Sequence, residues 1–146
     1  MKIALGADHK GFDFKNKVKS YLLQKKLEVI DFGAFSEDST DYPDYGIKAA
    51  EEVAEGKADY AVLVCWTGNG MAIAANKVKG IRAGLALNVE MAELTRAHNN
   101  ANVLVLSGKY TPPELVERII DKFLSTSFEG GRHKRRIDKI KRREDL

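Results

Sequence analysis

The chain has a single cysteine, Cys65, among 146 residues, with three histidines, three prolines and one tryptophan. One thiol cannot close an internal disulfide. Histidines scattered at positions 9, 98 and 133 offer no metal-ligand spacing, so disulfide-scaffold and zinc-module classes drop out and no metal is expected. No apolar run approaches the roughly 20 residues that a membrane span needs. Met1 leads straight into a strand pattern where a leader would have a charged and then an apolar region, so the expected location is cytoplasmic. Repeats, low-complexity tracts and linkers are also missing. A length of 146 residues with 44% hydrophobic content then suits one domain spanning residues 1–146.

The net charge of +3 is unevenly placed. From Glu129 to Leu146 eight lysines and arginines stand against four acids, which leaves the rest of the chain slightly acidic. Such a segment can meet nucleic acid, a membrane surface, a phosphorylated small molecule or only water. It lacks interleaved aromatics after Phe128, which argues against nucleic acid. Arg132 and Arg136, four residues apart, share one helical face, a spacing that suits a phosphate and equally a solvated basic face.

Short apolar runs at Ile3 to Ala7, Val29 to Phe32, Tyr60 to Cys65, Ile81 to Leu87 and Val103 to Leu106 are rich in β-branched residues and leucine and lack polar alternation. They read as strands buried on both faces. Helical patterns fall between them, from Phe14 to Leu22, Ile47 to Ala54, Met71 to Val78, Val89 to His98 and Pro113 to Leu124, followed by a basic helix from Arg132 to about Arg143. Strict alternation predicts an α/β fold, a three-layer α/β/α single domain with a five-stranded parallel sheet and a basic C-terminal helix. Ligands in such sheets sit outside the carboxyl ends of the strands. Asp8-His9, Asp31-Phe32-Gly33 and Cys65 all fall there, and the acidic stretch Gly33 to Pro43 reads as a loop bordering the same rim.

The segment from Tyr60 to Val78 is the densest in chemical meaning: a strand runs into Cys65, then a Thr-Gly-x-Gly turn, then a helix. That order aims turn amides and a helix N-terminus at one thiol, which favours negative charge there. The alternative is a small hydrophobe closing a buried strand. The dinucleotide fingerprint is incomplete, because Ile73 stands where its third glycine would fall. His98 reads either as a surface histidine at a helix end or as a site residue, and Asp8 either as a helix cap with His9 a bystander or as a ligand contact.

Taken together, GADHKGF at Gly6 to Phe12, EVIDFG at Glu28 to Gly33, DYPDYG at Asp41 to Gly46, CWTGNGMAIAANKVKGIRA at Cys65 to Ala83, AHNNANVL at Ala97 to Leu104 and EGGRHKRR at Glu129 to Arg136 resemble the B-type ribose-5-phosphate isomerases and the related galactose-6-phosphate isomerase subunits. The six segments keep the family's order over nearly the whole chain, and the cysteine and all three histidines fall on motif positions. The resemblance implies interconversion of ribose 5-phosphate and ribulose 5-phosphate through an enediolate. Cys65 would be the base, Trp66, Thr67, Gly68, Asn69 and Gly70 the anion hole, Thr67 a proton relay and His98 the ring-opening acid/base. It further implies that Asp8, His9, Tyr42 and Asn99 line the substrate, that Lys109, Arg132 and Arg136 hold its phosphate, and that no cofactor takes part. A homodimer or dimer of dimers with shared sites is implied too, the tail helix and His98 serving a partner's Cys65.

Three departures stand out. Trp66 replaces the usual glycine beside the base, Lys109 replaces a common arginine, and Asn69 replaces a common aliphatic residue without the glutamate base some branches place at the position held here by Met71. Trp66 keeps two other readings open, an isomerase of another aldose phosphate such as a hexose 6-phosphate, and a non-catalytic sugar-phosphate-binding protein.

Overall fold

Strand β1 (Lys2–Ala7) opens the chain, and each later strand is reached through a helix. Helix α1 (Phe12–Gln24) leads to β2 (Glu28–Asp31), α2 (Tyr42–Ala54) to β3 (Tyr60–Cys65), α3 (Asn69–Asn76) to β4 (Ala83–Leu85) and α4 (Val89–Asn99) to β5 (Val103–Ser107). The computed structural model describes every residue from Met1 to Leu146 and closes with α5 (Val116–Ser125) and α6 (Arg132–Glu144). The five strands form one parallel sheet in the order β2-β1-β3-β5-β4, the expected α/β architecture.

Strand side chains alternate between the faces. Ile3, Leu5, Val62, Val64, Leu104 and Leu106 pack with Val18 and Leu22 of α1 and Ile119, Ile120 and Phe123 of α5. Ala4, Ala61, Leu63, Cys65, Val103 and Val105 pack on the other side with Ala49 and Ala50 of α2 and Met71 and Ala75 of α3. The sheet is thus covered twice, once by large aliphatic side chains and once by an alanine-rich layer that lets α2 and α3 approach closely.

Two expectations from the sequence need correction. Strands β2 and β4 are not buried on both faces; they are the sheet edges and only partly covered. The run at Ile81 to Leu87 also forms just three strand residues, because Ile81 fills the alanine-rich core from the preceding turn and Arg82 N–H bonds to the Asn102 side chain at 2.9 Å. Helix α2 begins at Tyr42, not Ile47. Pro43 sits in its first turn, where a missing N–H goes unnoticed, so Tyr42 is helical and not the end of a loop.

The loop between β2 and α2 is tied down at its base by a buried ion pair. Lys15 Nζ, 1% exposed at the side chain, lies 2.8 and 3.0 Å from the two Asp31 oxygens and 2.6 Å from the Ala34 carbonyl. Burial works against the charged Asp31 carboxylate but is outweighed by the Lys15 ammonium, the Gly33 N–H and Lys19, so its pKa lies below the ordinary value. The associated stability is present above the unfolded carboxyl value of about 3.9 and is lost as pH falls through the lower folded one. Lys15→Met leaves the carboxylate with only the half-exposed Lys19 and is expected to cost about 3 kcal/mol in urea unfolding; adding Asp31→Leu should recover most of that.

Candidate active site

From β1 the chain moves outward to β2, then returns to the other side of β1 to form β3, so the strand order reverses between β1 and β3. Such a switch point opens a crevice at the carboxyl ends. Ala7 pairs in register with Val64, which brings Asp8 beside Cys65. Cys65 is 4% exposed, and the backbone N–H groups of Met71, Gly68 and Gly70 at the start of α3 lie close enough to its sulfur to favour negative charge there. Gly68 holds φ at +90°, the left-handed region, and this turns the chain so that those amides converge. Burial, reinforced by the Asp8 carboxylate, nevertheless outweighs the three donors and raises the thiol pKa above its ordinary value. The turn and the helix N-terminus do act to lower it, as the sequence suggests, but burial prevails.

The same rim gathers most of the other expected residues. The Tyr42 ring lies over Gly70, where a Cβ would come within 2.6 Å of its Cζ. Asp8 is both cap and neighbour of the thiol, since its Oδ1 accepts from Gly11 N–H at 3.0 Å. His9 N–H donates to Thr40 Oγ1 at 3.2 Å and His9 Nδ1 accepts from Thr40 N–H at 3.1 Å, which leaves the proton of the neutral ring on Nε2. This reciprocal clamp closes one wall of an open cleft of about 530 Å³ between Asp8-His9 and Thr40 to Asp44. Thr67 Oγ1 accepts from Asn69 N–H at 3.3 Å. Lys109 N–H donates to the Trp66 carbonyl at 2.9 Å, and its ammonium lies 5.2 Å from the Tyr110 ring centroid. The Trp66 ring, 45% exposed, sits near Gly108 with the Lys10 ammonium 5.4 Å from its centroid.

His98, Asn99, Arg132 and Arg136 are not part of this cluster. Helix α4 runs back from the carboxyl rim, so its last turn lies at the amino edge, where Arg96 and Asn100 border Met1, Tyr60 and Asn102. The length of β5 alone, about 13 Å at 3.3 Å per residue, stands between the two groups. Buried Arg96 fixes this end of α4, donating to the Ala101 carbonyl at 2.7 Å and the Thr126 carbonyl at 3.2 Å. Helix α6 packs against α4 with Ile137 buried and Arg132 and Arg136 exposed.

At this edge the sequence reading missed two residues, Glu129 and His133. The His98 and His133 rings stack with centroids 4.3 Å apart, and Glu129 reaches both. The Glu129–His133 spacing of four residues was a usable signal. The ligand atoms of these three lie within 4.8 Å of one another, yet the ring planes are 9° from parallel, so in-plane lone pairs do not meet at a single ion as metal ligation requires. Thr40 was missed as well, and nothing in its local sequence marks it.

The family model described as Ribose/Galactose Isomerase matches residues 3–140. Ribose-5-phosphate isomerase B of Escherichia coli is 43% identical over 139 residues, covering 95% of this chain and 93% of the relative. The structure of a ribose 5-phosphate isomerase from Thermotoga maritima superposes with a TM-score of 0.94 at 54% identity, over 97% of each chain. That of ribose-5-phosphate isomerase B from Mycoplasma genitalium, solved with bound ribulose-5-phosphate, does so with a TM-score of 0.94 at 41% identity, over 99% of this chain and 96% of the other. The same sheet, the same helices and a continuous match over nearly all of its length place the chain in the Ribose/Galactose Isomerase family of aldose–ketose isomerases.

Proposed function

We propose that this protein interconverts ribose 5-phosphate and ribulose 5-phosphate through an enediolate, without a metal, as a cytoplasmic step of pentose phosphate metabolism. The observation that carries the reading is the setting of Cys65, a buried thiol at the switch point, beside three backbone N–H groups at the start of α3 and adjacent to Asp8. Isomerisation moves a proton between C1 and C2 while negative charge passes over O1 and O2. A carbon-bound proton calls for a strong base. A thiol with a raised pKa is the stronger base once ionised, and the three N–H donors keep its small thiolate fraction within reach. Thr67 accepts from Asn69 N–H, which leaves its hydroxyl proton for the enediolate oxygens. Asp8, His9 and Tyr42 line the sugar, and Trp66 to Gly70 supply the amides facing the developing charge.

Most of the remaining roles fall to the amino edge. His98 opens the cyclic sugar, Arg132 and Arg136 grip the phosphate as bidentate donors, Asn99 adds a contact beside them, and Lys109 completes the binding set from the carboxyl rim. Because His98 and Cys65 stand at opposite edges of one chain, each site takes its thiol half from one copy and its histidine–arginine half from another, in a homodimer or dimer of dimers. The bound ribulose-5-phosphate of the Mycoplasma relative supports a pentose phosphate over a hexose phosphate.

The assay is formation of ribulose 5-phosphate from ribose 5-phosphate by purified protein with a chelator present. Cys65→Ala and His98→Asn are each expected to lose at least 100-fold in kcat. Mixing and re-annealing the two variants should restore about a quarter of wild-type activity, since half the dimers then carry one intact site of two; no recovery on mixing would refute the shared site. The thiol itself is expected to titrate above the free-cysteine value of about 8.5, read from thiolate ultraviolet absorbance, and Asp8→Asn should move the midpoint down.

A further inference from the structure

Glu129 contacts neither the carbon-proton machinery nor the arginine pair, yet its carboxylate spans two imidazoles. Oε1 lies 3.8 Å from His98 Nε2 and Oε2 lies 3.4 Å from His133 Nε2. The rings between which it reaches are stacked and nearly parallel. Glu129 is held there by its backbone, whose N–H donates to the Ala97 carbonyl at 3.0 Å, at the end of α4 that Arg96 fixes. At 3.8 Å the carboxylate acts on His98 through its charge and approaches from the Nε2 side, which leaves Nδ1 as the other ring nitrogen. Two imidazolium ions at stacking distance repel, so the pair carries one charge at a time. His133 is the buried member at 8% exposure, and burial, His98 and the Arg132 guanidinium, with a smaller push from Arg136, lower its pKa against the pull of Glu129.

We propose that Glu129 is a positioning residue for ring opening: it bridges the stacked pair, stabilises the His98 imidazolium from the Nε2 side, and leaves Nδ1 as the atom that exchanges a proton with the cyclic sugar. The assignment rests on the reading of this chain as a ribose 5-phosphate isomerase in which His98 opens the ring. In that step Nδ1 takes the proton of the anomeric hydroxyl, the C1–O1 bond becomes a carbonyl, and the bond from C1 to the ring oxygen breaks. The imidazolium then returns the proton to that oxygen, which leaves as the O4 hydroxyl. No net proton is consumed, and Glu129 neutralises the imidazolium while it lasts, the role a carboxylate plays behind a general-base histidine. Its 3.8 Å separation from His98 is an ion-pair distance, so it acts on the imidazolium through its charge.

Ring opening can be read apart from isomerisation, because the α and β anomers of ribose 5-phosphate interconvert only through the open chain. NMR exchange spectroscopy at C1 measures that rate. Cys65→Ala is expected to accelerate anomer exchange while forming no ribulose 5-phosphate. Adding Glu129→Gln should reduce the acceleration at least 10-fold, Glu129→Asp should retain part of it, and the Kd for inorganic phosphate should stay within about 2-fold. Equal acceleration with and without Glu129→Gln overturns the proposal. So does loss of phosphate binding in Glu129→Gln, which would mark a structural role, and so does the absence of any acceleration by Cys65→Ala. Isomerisation surviving in Cys65→Ala would instead overturn the assignment of Cys65 as the base, a separate failure.

Discussion

A parallel strand hands the chain to a helix that runs back the other way, and that constraint sorts the polar side chains of this protein to two opposite edges of its sheet. Residues that directly follow a strand collect at the carboxyl rim: Asp8 after β1, Cys65 to Gly70 at the end of β3, Lys109 after β5. Residues that end a helix are returned to the amino edge, and His98 and Asn99 close α4 there. Helix α6 packs on that same helix, which carries Arg132 and Arg136 to the amino edge as well. Bringing the two groups together inside one chain would require unmaking β5 or α4. Joining two copies requires only that one copy's amino edge meet the other's carboxyl rim.

The carboxyl rim balances opposing electrostatic effects at one sulfur. Three backbone donors and the positive end of α3 favour thiolate, whereas burial and the Asp8 carboxylate favour thiol, and the second pair prevails in the free protein. For a nucleophile that would be a handicap. For a base working on a carbon-bound proton it is a match, because base strength rises with the pKa that limits ionisation. The alanine-rich layer under α2 and α3 contributes here too: small side chains let α3 settle against the sheet with its first amides at the sulfur.

Periodicity carried much of the fold. The bounds of β3 were legible to the residue, since Tyr60 to Cys65 is an unbroken apolar run closed by a Thr-Gly turn, and the β/α alternation follows from the same signal. Apolar content could not separate central strands from edges, because Val29 and Ile30 of edge strand β2 look like core residues until the strand order is known. Tyr42 was misplaced into a loop because Pro43 marks a helix start and a turn equally well. Among the candidate site residues, those adjacent to glycine turns stand out in the sequence, Glu129 and His133 carry only their four-residue spacing, and Thr40 carries no local mark. Thr40 holds His9, 31 residues away, through its backbone N–H and hydroxyl, and Glu129 reaches His98 of α4 from the segment before α6. Long-range partnerships of that kind leave no local trace.

Trp66 shows how the same geometry resolves a departure that the residues alone left open. Alternation along β3 sends the Cys65 side chain to the face of α2 and α3, where Met71 and Ala75 surround it. The next residue faces the other way, and the Trp66 ring accordingly meets Lys10 and Gly108, beyond the ends of β1 and β5. Its carbonyl stays in the strand-end ladder, accepting from Ser107 Oγ at 2.8 Å and Lys109 N–H at 2.9 Å, so the ring's bulk does not disturb the backbone leading to Gly68. On the thiol's own side the Tyr42 ring lies close over Gly70, where an added Cβ would meet its Cζ at 2.6 Å. The Tyr42–Gly70 contact is the close packing on the thiol's side, and the tryptophan is accommodated because a strand's alternation turns it away from the Cys65 sulfur.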